Sequence, residues 1–367
     1  MDKRRIDGNL RLLRLNLSDS LDFCSNDYLG FARSAELAGA IEKQVGFQKS
    51  LVNGATGSRL LSGNSLLAEE LEEAVANFHK AECGLIFNSG YDANLGLFSC
   101  IASRSDTILY DELSHASIID GVRLSTAHAF KFRHNDLEHL EALMKKASGT
   151  IYVGVESVYS MSGDFSPLSQ ILGLCEKYHA LLIVDEAHAT GVFGEKGKGR
   201  VVELGLEKKV FARVHTFGKA LGVHGAIILG SEELRTFLIN FSRPFIYSTA
   251  LPPHSLIAVQ CAYHFLNAQE GRINMLRERI VFFKEKAGLL KSLLFEESFS
   301  AIQCVIIKGN VKVKALAGSI QSRGYDVRPI LSPTVASGSE CIRICLHTFN
   351  TFEQIQGLLN EIESFCL

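Results

Sequence analysis

Between about residue 65 and residue 230, short apolar runs alternate with stretches of helical periodicity. Two parallel strands need a crossover of a dozen or more residues, usually a helix, so this rhythm predicts a mostly parallel sheet covered by helices. The runs 84–87, 107–110, 151–155, 181–184, 210–214 and 226–229 are read as buried strands, each ending in a polar or glycine-containing segment. In an open α/β sheet those endings are where a ligand sits. Ser65 is the expected N-cap of a helix carrying Leu67, Leu71, Val75 and Phe78 on one face.

Beyond Pro252 and Pro253 the pattern changes. Ile280, Phe283, Ala287, Leu290 and Leu294 predict a long amphipathic helix, followed by strands at 302–307 and 341–346. An Asn350-Thr351-Phe352-Glu353 capping box opens a last helix with Phe352, Ile355, Leu359 and Ile362 on one face. The expected organisation is an N-terminal segment (1–45) packing with the small domain, a large domain (46–250), and a C-terminal small domain (251–367) of α+β type.

Forty acidic against 38 basic side chains leave a net charge of −2, so no global field favours nucleic acid or an anionic membrane. No run approaches the roughly eighteen apolar residues of a membrane span. Met1–Gly8 has basic residues without an apolar stretch behind them, so no secretory leader is expected. Nine scattered cysteines without a CxxC predict reduced thiols in a cytoplasmic protein and no metal site. Nine of the 31 glycines fall between Gly191 and Gly230.

The segment from Leu181 to Gly191 delivers Asp185 and His188 just past a buried strand. An aspartate there either caps a turn or meets a cation, because an ionised carboxylate is costly to desolvate alone. Lys219 follows in Thr216-Phe217-Gly218-Lys219, a turn between two apolar strands; taken singly, a lysine is ordinarily a solvated surface residue. Together these three suit pyridoxal phosphate, which needs an amine for its aldehyde and a carboxylate to keep its ring nitrogen protonated. The GxxxxGK[ST] spacing is absent, which excludes a P-loop.

Asn88–Asn94 offers a Ser-Gly turn and a helix starting near Tyr91, whose free N–H groups at Gly90 and Tyr91 make an anion site. Alone, such a turn is more often only structural. Thr216 can add a hydroxyl to the same anion. His115 lies just past the strand ending at Tyr110, where an imidazole either stacks on a cofactor ring or is simply a surface polar group; Ser160 follows another strand.

Five blocks, Phe23–Gly30, Gly57–Asn64, Leu113–Ser117, Asp185–His188 and Thr216–Lys219, run in order through almost the whole chain and together resemble the α-oxoamine synthases. These are fold-type-I pyridoxal-phosphate transferases that condense an amino acid with an acyl thioester and release CO2. The resemblance implies an α/β fold with a large, mostly parallel central sheet covered by helices, plus a smaller α+β domain. The Asn26–Gly30 and Gly57–Asn64 blocks are most similar to the biotin-biosynthesis member. That enzyme joins L-alanine to a pimeloyl thioester, on coenzyme A or an acyl-carrier protein, giving 8-amino-7-oxononanoate, CO2 and free thiol. The alternatives are a glycine C-acetyltransferase, another α-oxoamine synthase, or a catalytically silent partner subunit.

By resemblance, Lys219 bonds covalently to the cofactor, Asp185 partners its pyridine nitrogen, and His188 with Ser160 meets its phenolic oxygen. Gly90, Tyr91 and Thr216 serve the phosphate, and His115 stacks over the ring and faces substrate. Thr249 belongs to a segment that reaches the phosphate of the neighbouring subunit in a homodimer. Arg11, Asn26, Thr334 and Arg343 are expected near substrate, with no nucleic acid, membrane or metal partner. Two departures stand out: Ala189 replaces a frequent glycine or serine, and Ala68 replaces a histidine that many members have.

Overall fold

The computed structural model describes residues 20–48 and 51–366, together with Arg4, Leu10 and Leu13. The chain forms two compact units. One comprises the residues up to Leu29, Ser160–Asp164 and Asn274–Leu367; the other comprises Gly30–Tyr159 and Phe165–Ile273. This division differs from the expected boundaries at 45/46 and 250/251. The helix Ala35–Gly46 packs on the helix Pro253–Ala268 inside the larger unit. Phe31 and Phe265 meet there with ring centroids 4.9 Å apart, so both segments join the larger core.

A two-residue strand, β1 (Leu21–Asp22), belongs to the smaller unit. The larger unit is built on β2 (Cys83–Phe87), β3 (Thr107–Asp111), β4 (His128–Phe132), β5 (Ile151–Glu156), β6 (Leu181–Asp185), β7 (Ala212–Thr216) and β8 (Ala226–Gly230). Their order in the sheet is β2-β8-β7-β6-β5-β3-β4. Only β8 runs against the others. All six apolar runs became strands. The seventh, β4, was not expected: it lies at the sheet edge with residues 128–131 exposed, so it lacks a buried-strand pattern.

Side chains alternate across a strand, and here both faces are covered. Ile108, Tyr152 and Ile183 pack on one side with Leu97, Phe98 and Ile118. Leu109, Val153, Leu182 and Val184 pack on the other with Leu140, Leu168 and Ile171. Each such aliphatic side chain contributes about 1.5–3 kcal/mol by leaving water. That double burial is why the strands read as continuous apolar runs. Parallel direction also brings the carboxyl ends of β2, β3, β5, β6 and β7 to one edge, with Glu156 opposite Asp185 and Asp185 opposite Val214.

The smaller unit adds β9 (Leu294–Phe295), β10 (Ile302–Ile306), β11 (Tyr325–Asp326), β12 (Arg328–Ile330) and β13 (Cys341–Cys345). Four of these form an antiparallel sheet, β12-β13-β10-β9, while β1 pairs parallel with β11. The helix expected to run through Leu294 spans Glu270–Ala287 and gives way to Gly288, leaving room for β9. The last helix, Phe352–Cys366, buries Ile355, Leu358, Leu359 and Ile362. Gly163 sits at φ +76°, and a Cβ there would lie 2.3 Å from the Ile302 carbonyl oxygen; only glycine lets the Ser160–Asp164 segment lie against β10.

Asp22 anchors the start of this unit. Its carboxylate accepts from the N–H groups of Cys24 and Ser25 and from the Ser25 hydroxyl at 2.9, 2.9 and 2.7 Å. Burial alone would raise its pKa, but the Ser25 N–H, the charge of His347 and the remaining donors outweigh burial and bring it down to about 2. The folded value thus lies below the unfolded one of about 3.9, so this stabilisation is complete above roughly pH 4 and disappears as pH falls through about 2. Asp22→Asn should melt at a lower temperature than the parent at neutral pH, with the gap closing across that window. A gap independent of pH, followed by circular dichroism, would assign the effect to packing instead.

Candidate active site

The strand-end edge of the larger sheet collects most of the residues singled out in the sequence. Asp185 closes β6 and is only 5% exposed. Its Oδ2 accepts from Asn94 Nδ2 at 2.6 Å and its Oδ1 from the Ala187 N–H at 2.8 Å. Both donors are neutral. Among the described residues no cation pairs with it, an arrangement suited to a protonated ring nitrogen arriving as the missing charge. His188 is buried in the following turn, and its Nε2 lies 2.8 Å from Lys219 Nζ.

The helix Gly90–Cys100 starts directly after β2. Ser89 is its N-cap and accepts from the Asp92 N–H, while the N–H groups of the first turn have no partner inside the helix. A Cβ placed on Gly90 would lie 2.4 Å from Thr216 Cγ2, so the helix start and the end of β7 touch only because residue 90 has no side chain. Gly90, the Tyr91 N–H and Thr216 therefore share one small region. The Thr216 hydroxyl makes only a long 3.4 Å contact to the Ala187 carbonyl oxygen. The Tyr91 phenol turns away to donate to the Asp120 carboxylate.

His115 is the N-cap of the helix Ala116–Leu124; its own N–H donates to Glu156 Oε1 at 2.6 Å. The imidazole pKa is lowered, first by loss of water around the ring; Lys219 acts in the same direction, while Asp185 and Asp120 oppose it. The Thr249 carbonyl oxygen accepts from Asn88 Nδ2 at 2.9 Å. Both residues line a shallow recess shared with Arg59 and Ala68, so the position that lacks a histidine borders this recess.

Asn26, Ser160, Thr334 and Arg343 lie in the smaller unit. Arg343 on β13 donates through Nη2 to Asn26 Oδ1 at 3.0 Å, through Nη1 to Cys345 Sγ at 3.0 Å and through Nε to the Ser160 carbonyl oxygen at 2.9 Å. Asn26 and Arg343 are thus brought together, with Ser160 held beside them by its backbone. Thr334 is exposed in the turn after β12, its N–H donating to Leu331. Arg11 lies outside the described residues.

Sequence reading missed Asn94, Glu156 and Glu186. Asn94 is buried one turn into the helix from Gly90 and faces β6. Glu186 is fully buried, which pushes its pKa up to about 7 against the charge of Arg213, and it accepts from the N–H groups of Arg200 and Val201. An acid directly after Asp185 was visible, but its partners lie 14 and 15 residues further on.

The sequence matches the aminotransferase class I and II family over residues 18–362. It is 41% identical to an 8-amino-7-oxononanoate synthase of Emericella nidulans, covering 97% of this chain and 91% of that protein. With the synthase of Cellvibrio japonicus it shares 37% identity over 93% of this chain and 85% of the relative. The chain belongs to the α-oxoamine synthases. Among solved structures, a serine palmitoyltransferase of S. paucimobilis with a bound PLP-myriocin aldimine superposes with a TM-score of 0.88 at 26% identity, covering 94% of this chain and 87% of that one. An 8-amino-7-oxononanoate synthase of Francisella tularensis does so with a TM-score of 0.82 at 29% identity, covering 94% and 97%.

Pyridoxal phosphate is the family's cofactor and this enzyme's. The residues present fit it: a buried carboxylate lacking a cation, an amine beside an imidazole, and a helix start in contact with Thr216 through the space a Cβ would fill. Gly90→Val should push Thr216 away and weaken cofactor binding by about tenfold, or about 1.4 kcal/mol. Fluorescence titration of the apoprotein with pyridoxal phosphate measures this; unchanged affinity would remove the close approach from the binding site.

Proposed function

We propose that this enzyme condenses L-alanine with a pimeloyl thioester, releasing CO2 and free thiol and forming 8-amino-7-oxononanoate for biotin synthesis. The observation that carries the reading is the buried Asp185 carboxylate, bonded among the described residues to neutral donors only, in a chain matching a synthase of that name over nearly its full length. Bound pyridoxal phosphate supplies an electron sink for negative charge developing at the amino acid's Cα.

The chain's own residues do the rest. Asp185 holds the proton on the ring nitrogen. Lys219 would hold the cofactor through its amine, and that amine would take the Cα proton of L-alanine and return one to the product. The N–H groups of Gly90 and Tyr91 and the Thr216 hydroxyl would hold the phosphate, and His115 would cover the ring. Arg343, fixed by Asn26, Cys345 and Ser160, offers a guanidinium for the substrate carboxylate. Ser160, Thr334 and Arg11 keep the roles the resemblance implies, as does His188 at the phenolic oxygen.

Release of free thiol should be fastest for L-alanine with pimeloyl-CoA or pimeloyl-acyl-carrier protein. Faster reaction of glycine with acetyl-CoA, or of L-serine with palmitoyl-CoA, would overturn the substrate assignment. Lys219→Ala should lose the cofactor absorbance of the parent and lower turnover by roughly 10²–10⁴-fold or more. Full activity in that variant would remove Lys219 from the chemistry.

A homodimer is part of this proposal, with Thr249 serving the neighbour's phosphate. Leu61, Leu66 and Tyr247 are 84%, 73% and 71% exposed, and the Ala250 N–H bonds Gly57 O at 3.0 Å, joining their two segments. A cytoplasmic location is supported by nine free cysteines, five of them buried. Among the described residues no helix is long and apolar enough to cross a membrane. Light scattering should give the mass of two chains for the parent and of one for Leu61→Glu/Leu66→Glu; a monomeric parent would overturn the dimer.

A further inference from the structure

We infer that Asn94 and Ser117 are positioning residues: they form a hydrogen-bond relay that fixes His115 as the neutral Nε2–H tautomer and ties it to Asp185. An ionised carboxylate only accepts, so the Asn94 atom 2.6 Å from Asp185 Oδ2 must be the amide nitrogen, and the orientation of the side chain is dictated. The second N–H of the same amide donates to Ser117 Oγ at 3.0 Å. The Ser117 hydroxyl lies 2.7 Å from His115 Nδ1 and keeps its own proton to donate there, a direction set by the backbone donor that shares the nitrogen. The Ser117 backbone N–H points at that same ring nitrogen from 3.2 Å.

Two donors therefore converge on Nδ1. A proton on that nitrogen would face both of them, so the neutral ring carries its hydrogen on Nε2. Asn94 Oδ1 is buried with no hydrogen-bond partner among the described residues, the consequence of spending both amide hydrogens on Asp185 and Ser117. The groups around the imidazole are Asp185 and Asp120, which favour the charged ring, Lys219, which opposes it, the Tyr91 ring at 6.4 Å, and Glu156, which holds the His115 N–H. Against the two acids, the convergent donors reward only a ring whose Nδ1 is unprotonated.

The consequence concerns roles. A neutral His115 with its hydrogen on Nε2 offers a donor toward the ligand and has no free lone pair there, so it orients a substrate oxygen and leaves proton removal to Lys219. That use rests on the proposed function; the tautomer itself does not.

The test uses the cofactor-loaded enzyme with ¹⁵N-labelled histidine rings, the His115 signals being identified by their loss in His115→Gln. At neutral pH the ring should show the pattern of a protonated Nε2 and an unprotonated Nδ1. Ser117→Ala and Asn94→Leu should convert that ring to a mixture of tautomers and raise its pKa by roughly one unit, because a bond to the neutral form is lost. An Nδ1–H or imidazolium pattern in the parent overturns the relay, and so does an unchanged ring in both folded variants. Should neither variant fold, the parent pattern alone decides. The expected pattern in an enzyme inert toward L-alanine and pimeloyl thioesters would keep the relay and discard the reaction.

Discussion

The structure turns on how a carboxylate is held at the end of a buried strand. Asp185 has left water almost completely, and a charge in that position is unstable unless it is bonded and paired. Among the described residues, the protein supplies the bonds, from Asn94 and from its own following turn, but no cation. Its polar neighbours at this edge follow from that choice. The helix carrying Asn94 must start at Gly90 to place the amide over β6, and the same start leaves N–H groups free for an anion. In the proposed function, one helix would thereby support both ends of a ligand that is cationic at its ring nitrogen and anionic at its phosphate.

The sheet makes this possible through direction and register. Six parallel strands end on one edge, so residues distant in sequence arrive together with little loop to order. Buried polar groups are nevertheless left incomplete. Among the described residues, Asn94 Oδ1, Ser114 Oγ and His215 Nε2 lack partners. An orphaned buried acceptor costs about 1–3 kcal/mol. At Asn94 the loss has a local reason, since both amide hydrogens are committed and the carbonyl oxygen must point where no donor stands.

Much of this was legible beforehand. Apolar runs marked six of the seven strands because parallel strands are buried on both faces, and polar endings marked the edge where Asp185 and Thr216 end their strands. The edge strand β4 was not legible, since an exposed strand carries no apolar run. Nor was Asn94. Its spacing from Gly90 shows a helical neighbour, but its contact with a strand 91 residues later is set by tertiary packing. The domain boundary failed for a similar reason: the prolines at 252 and 253 open a helix that continues the larger unit. Pro at the start of a helix is favourable because its missing N–H has no partner to lose, and here it was taken for a division between domains.

The Gly57–Asn64 block shows how a signature can matter without touching the chemistry. Arg59 pairs with Glu72 at 2.7 Å and with Glu69 at 3.2 Å, and Arg235 reaches the same two acids. Glu72 is nearly fully buried and accepts from the Ile86 N–H of β2 at 2.8 Å. A lone buried glutamate would be unstable there; two guanidiniums make it tolerable and fix the strand one residue before Phe87. From that point the chain turns through Asn88 and Ser89 into the helix that carries Asn94. Substituting Arg59 would therefore act on β2 first and reach the cofactor only through the position of this turn, so the block most useful for recognising the family works as its scaffold.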